Sequence, residues 1–304
     1  MNMYLRCLVV GLLLLSGNAL AVSYTLPSAT FAPCQGTWTA GSNTCSGQIS
    51  FASGDTLTSS SALTLSADGG FALRGNTIGT ASNPITLQAS YNQISTIAPH
   101  SATTINGNVR NGSAAITLTN VTINGFIETA SGSVTLTNSS VSGNVTGTGN
   151  GSLSNTNVGG NVSFTNGLSV TGGTLSGSAS TNGNASFTNT TVIGAATATN
   201  GITASNSNFS GTITATNGVS SFSGGTINAN INGNCCKITV SGAYVTGNIS
   251  SSNELEINNS TITGTVTSSH RVNFSNSTVY GNVTAASWHT ITGTGNSKVY
   301  GTCS

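Results

Sequence analysis

Glu254 and Glu256 stand one residue apart, and Arg271, with His270 beside it, follows at the distance of one sequence repeat from Glu254. Two carboxylates are what glycoside hydrolysis needs, one as acid and one as base or nucleophile. Acidic groups holding Ca²⁺ beside a basic residue would serve polysaccharide cleavage as well. The competing account is a set of solvated ion pairs on one surface, because exposed charge pairs are common and weak. Beyond Ala21 the other acids are Asp55, Asp68 and Glu128, far apart in the chain. His100 and His289 read as isolated, and no Cys/His grouping has the ligand spacing of a metal site. The chain therefore reads as a non-enzyme, with no catalytic, cofactor or metal site, and Glu254, Glu256, His270 and Arg271 as an interaction surface.

Composition narrows what must position these residues. Of 304 residues only 4% are charged, 36% are hydrophobic and 39 are glycine, with heavy Ser, Thr and Asn. Disordered chains of low hydrophobicity normally carry high net charge. This one has +1, and its apolar residues are largely strand formers. Residues 1–21 read as a signal peptide: Arg6, then the apolar "CLVVGLLLLSG", then Ala19-Leu20-Ala21 as a cleavage site. Its removal takes away Arg6 and leaves a formal charge of zero. No basic stripe remains to follow a phosphate backbone, so nucleic acid is not an expected partner. No later stretch has the length and apolarity of a membrane span. The expected location is outside the cytoplasm, at the cell surface, in the medium or in the periplasm.

The organisation appears when the "[VIL]-x-G" element is used as a ruler. Its glycines are Gly107, Gly125, Gly143, Gly160, Gly177, Gly194, Gly211, Gly247, Gly264 and Gly281, with Ala229 filling one gap, so that successive sequence numbers differ by 17 or 18. Gly301 opens a longer final coil. Four apolar stripes accompany the ruler, at two residues before it, two after, seven before and nine before. Spacing by two is strand geometry. Five residues before the glycine, ten coils carry only Asn or Gly. Those residue types tolerate a left-handed backbone, so a tight corner is expected there. The pattern predicts an all-β chain: a single parallel β-solenoid of 17–18-residue coils with two apolar strand segments each, a compact right-handed β-helix. Residues 22–101 read as an N-terminal cap with irregular coils, and 102–304 as the regular repeats. A thin tube is mostly surface, hence polar, and stacked identical charges would repel, hence the near absence of charge.

Two resemblances accompany this reading. "YTLPSATFAPCQGTWTAGSNTCSGQISFASGDTLT", with Tyr24, Pro27, Cys34, Cys45, Gly54, Asp55 and Thr56, resembles the mature N-terminus of MshQ-like proteins encoded with mannose-sensitive haemagglutinin-type pili. The "V-x-G-N-V" coils, Val141–Val145 and Val279–Val283, resemble those of bactofilins, bacterial polymer-forming proteins. The first implies association with a pilus or the cell surface, the second a polymer-like coil.

In an oxidising compartment Cys34 and Cys45, flanking a hairpin-like stretch, are expected to pair. Cys235-Cys236 is open to a vicinal disulfide, and Cys303 is left over. Outward positions eight and six before the ruler form a hydroxyl ladder over eight coils, beginning Thr117/Thr119 and Thr135/Thr137. Arg110 should stack on Glu128, Arg271 on Glu254, and Tyr280 on Tyr300. Trp38, Trp288, Tyr280 and Tyr300 read as aromatic end caps, the alternative being an aromatic patch that holds a sugar or a partner. The leading functional expectation is an exported structural or adhesive surface rod. Its partners would be other copies end to end, pilus or cell-surface components, or glycans. The alternatives are a polysaccharide-binding or polysaccharide-degrading β-helix and an ice-binding protein.

Overall fold

The computed structural model describes residues 20–98 and 100–304, so the expected signal peptide lies almost wholly outside the described residues. Along each coil inward apolar residues alternate with small polar ones, as a strand buried on one face requires. Around Gly125 this gives strands Val121–Ile123, Ile127–Thr129 and Val134–Thr137. Equivalent strands of successive coils pair in parallel into three sheets, A, C and B in the order the chain meets them, of 15, 15 and 14 strands. The molecule is a single parallel β-solenoid. The predicted two strand segments per coil become three, because residues before and after the ruler glycine belong to different sheets with the glycine at their corner.

The stripes run vertically as the ruler requires. Ile123, Val141 and Val158 are successive partners in sheet A. Ile127, Val145 and Val162 follow one another in sheet C, and Leu136, Leu153 and Val170 in sheet B. Together they form one continuous core from Leu26 to Ala285. The ruler is glycine for lack of room. A Cβ on Gly125 would lie 2.2 Å from the carbonyl oxygen of Gly107, and one on Gly264 2.3 Å from that of Gly247. Five residues earlier the backbone is left-handed in all ten coils that carry Asn or Gly there, with φ from 48° at Asn138 to 70° at Gly172, as predicted.

Two further inward stripes are invisible as apolar patterns. Four residues before the ruler lie buried Ser139, Thr156, Thr190, Ser207, Ser260 and Ser277. Each satisfies buried backbone next to the left-handed corner. Ser207 Oγ, for instance, donates to Ser205 O at 3.0 Å and accepts from Thr190 N at 3.1 Å. Four residues after the ruler, the position holds residues as different as Asn111, Phe164, Ala198 and Ser251, all buried. Packing there is compensatory. A Cβ on Gly151 would strike the Phe164 ring at 2.3 Å, so the missing side chains at Gly151 and Gly147 make space for that ring.

The N-terminal end is closed by residues 22–51. Ser23–Leu26 begins sheet A beside Thr56–Ser59, while Trp38–Thr39 and Thr44–Cys45 form an antiparallel pair over sheet C. Rings of Tyr24, Phe31, Trp38 and Phe51 pack together, with Phe31 5.0 Å from Trp38 and 5.6 Å from Tyr24. Cys34 and Cys45 are disulfide-bonded, as predicted. Asp55, only 1% exposed, binds Val22 N and Ala52 N at 2.8 Å each, so the Gly54-Asp55-Thr56 element clamps the first strand. All three sheets continue past residue 101 into the regular coils. No helix among the described residues is long and apolar enough to cross a membrane.

Candidate functional site at the corner between sheets C and B

The chain turns from sheet C to sheet B through short corners, and in the last four coils these corners carry the molecule's chemistry. Lys237, Glu254 and Arg271 all stand ten residues before their ruler glycines. Backbone bonds stack them: Ile238 N donates to Glu254 O at 3.0 Å and Leu255 N to Arg271 O at 3.1 Å. The corners are held from inside by the polar members of the buried stripe. Ser251 Oγ accepts from Asn253 N at 3.1 Å and donates to Cys236 O at 3.1 Å. One coil on, Ser268 Oγ accepts from His270 N at 3.0 Å and donates to Asn253 O.

The predicted stacking of Arg271 on Glu254 is present and bidentate. Nε lies 2.8 Å from Oε1 and Nη2 3.2 Å from Oε2, and Asn273 Nδ2 donates to Oε1 at 2.9 Å. The hydrogen bonds and charge of Arg271, with Lys237 and Asn273 adding, hold the Glu254 carboxyl below the usual carboxylate range against its partial burial. Glu256 points outward from the next strand and pairs with Lys237 at 2.5 Å. Sequence reasoning missed Lys237, although its offset from the ruler matches that of Glu254 and Arg271.

His289 corrects the reading that it is isolated. Its ring stacks on His270, centroids 4.5 Å apart and planes inclined by 30°. Trp288, beside it, meets His289 edge-on at 6.3 Å and is 83% exposed, so it caps nothing, contrary to expectation. Of the other aromatic residues, Trp38 belongs to the N-terminal cap, while Tyr280 and Tyr300 stack at 5.1 Å on the outside of sheet A. Asn253, Glu254, His270, Arg271 and His289 line a cleft of about 190 Å³. One coil before Glu254, Cys235 and Cys236 form a vicinal disulfide at the same corner, and Cys303 is free. Among the described residues no three His, Cys, Asp or Glu side chains converge as a metal set.

The second candidate surface is the outer face of sheet B. Thr117 and Thr119 pair with Thr135 and Thr137 in register, and the two hydroxyl files continue through Thr239 and Ser241. The first file then passes from Thr239 to Glu256, so the hydroxyl face ends at the charged corner. Elsewhere Arg110 stacks on Glu128 at 3.2 Å, as predicted, and its guanidinium lies 4.9 Å from the centre of the Phe126 ring. No protein-family model, curated protein or solved structure matches the chain.

Proposed function

We propose that the protein is an exported, non-catalytic rod that spaces or displays a binding surface outside the cell. The observation carrying this reading is the unbroken vertical register of three parallel sheets, which makes a stiff shaft of small, uncharged outward side chains. Each coil contacts only its neighbours, so length is added without redesigning the core. The disulfides Cys34–Cys45 and Cys235–Cys236 support an oxidising destination. The signal-like segment 1–21 and the MshQ-like N-terminus support the cell surface and, more narrowly, a pilus-associated role.

The non-catalytic part rests on Glu254. A glycosidase acid must hold its proton near neutral pH, so its pKa is raised. Here Arg271 pulls the carboxyl the other way, and three donors occupy it. The hydroxyl files favour a second reading, attachment to an ordered surface such as ice. Six of the eight coils, however, present at least one Ser where regular Thr methyls would be wanted.

Fractionation of the producing cell and electron microscopy of purified protein test the rod reading. Surface-held rods or filaments support it. Free, compact monomers that shorten glycans overturn it. A thermal hysteresis measurement decides the second reading, which fails without ice shaping.

A further inference from the structure

We propose that the corner between sheets C and B over the last coils is a binding site for a neutral glycan, with Trp288 as its stacking platform. This goes beyond the rod reading, which concerns the shaft and holds whether or not the corner binds sugar.

Three observations converge. First, a tryptophan whose ring is left largely in water is a large apolar plate, and such rings mark recognition surfaces. Trp288 is 83% exposed, while Trp38, the chain's other tryptophan, is packed in the cap. Second, the plate's neighbour His289 lines a cleft rich in hydrogen-bonding groups. Arg271 spends two of its five N–H groups on Glu254, which leaves three for a ligand on a side chain 58% exposed. The His270 and His289 rings and Asn253 add further donors and acceptors on the same cleft. A ring with an apolar face and a rim of hydroxyls matches an apolar plate bordered by polar groups.

Third, charge selects against an ionic ligand. Lys237 and Arg271 are balanced by Glu254 and Glu256, and each cation is paired. A polyanion would find no uncompensated field here and would have to break ion pairs to gain one. The cleft, about 190 Å³, falls below the roughly 300–1,000 Å³ of sites that enclose drug-sized molecules. It therefore takes one sugar ring of a longer chain, the remainder lying outside on the surface.

The test uses the Trp38→Phe protein, in which Trp288 is the remaining indole. Its emission is titrated with a panel of soluble neutral polysaccharides (glucans, mannans, galactans and xylans) and, separately, with a polyuronate. A saturable emission change with a neutral member is the expected result. In native affinity electrophoresis with that polysaccharide, Trp288→Ala on the wild-type background should weaken retardation roughly tenfold or more. Tyr280→Ala, which removes an exposed ring elsewhere, should leave it unchanged. Silence across the neutral panel overturns the proposal. So does equal retardation of Trp288→Ala and wild type, or binding confined to the polyuronate. None of these results bears on rod shape in the microscope, so the two readings fail separately.

Discussion

Val162 and Ser163 are adjacent, and the fold places them on opposite sides of the wall. Val162 is fully buried between Val145 and Ala179, whereas Ser163 faces water between Thr146 and Ser180. The same substitution at each site isolates direction from chemistry. Val162→Asp forfeits about 1.5 kcal/mol of valine burial and leaves a carboxyl without a partner, about 1–3 kcal/mol more. At neutral pH the carboxyl must also stay protonated, at about 1.4 kcal/mol for each unit its pKa rises above the ordinary ~3.9. The expected loss is therefore about 2.5–4.5 kcal/mol at pH 4, with several more added by pH 7. The sign follows from a raised folded-state pKa, which favours the fold below the unfolded pKa and ceases to do so as pH climbs. Ser163→Asp has no charged vertical neighbour and should cost no more than about 0.5 kcal/mol.

Because each coil contacts only those above and below, the damage should be local. Hydrogen exchange in Val162→Asp should accelerate at the coils holding Val145, Val162 and Ala179, while Ile249 and Val266 keep their protection. Urea midpoints at pH 4 and pH 7 supply the magnitude. Equal midpoints for the two variants, or a Val162→Asp loss indifferent to pH, would refute the inward–outward alternation on which the architecture is argued.

Three other outcomes are expected. Asn189→Ala keeps a φ of 52° but removes the short polar side chain that lets Asn adopt the left-handed region, and should lower stability by about 1 kcal/mol in urea titration. Asn189→Gly should be tolerated there, as Gly172 and Gly224 are in other coils. Replacing Cys34 and Cys45 by Ser opens a loop of sequence separation 11 and should cost the cap about 3 kcal/mol, read as thermolysin cleavage within residues 28–48 with the later coils still resistant. Burial, with the Asp55 charge adding, pushes the Tyr24 hydroxyl above its usual range. Its contribution to the cap is thus present below about pH 10 and lost as pH rises through the shifted value. Trp38 emission should report that alkaline step, and Tyr24→Phe should abolish it.

What was legible beforehand was whatever the period controls. Once the ruler fixes which residues are vertical neighbours, Ile123 over Val141, Arg110 beside Glu128 and the left-handed Asn189 follow from sequence position alone. What was not legible depends on volume or on a change of sheet. The stripe four residues after the ruler mixes Asn111, Phe164 and Ser251 because its requirement is to fill space left by neighbours, as Phe164 does above Gly147 and Gly151. The division of one apparent strand segment into sheets A and C was hidden because inward residues two before and two after the glycine keep the same alternation on both sides of the corner. His289 was missed because the interval from Gly281 to Gly301 is longer than the others, so counting in the regular period never sets it over His270.

The placement of charge shows how the stack governs the candidate site. A charge on one rung faces its neighbours on the rungs above and below, and like signs in register are penalised. Lys237, Glu254 and Arg271 occupy one vertical line with alternating sign, and Glu256 reaches back to Lys237. Arg110 and Glu128 repeat the arrangement on sheet C. Both clusters therefore enter this architecture as self-neutralising ladders. A corner built under that constraint offers directional hydrogen bonds without net charge, and the plate of Trp288 beside it supplies the apolar surface that such bonds alone do not. The constraint that keeps the tube stackable is thus also what directs the corner toward an uncharged ligand, and a site that preferred polyanions would contradict both.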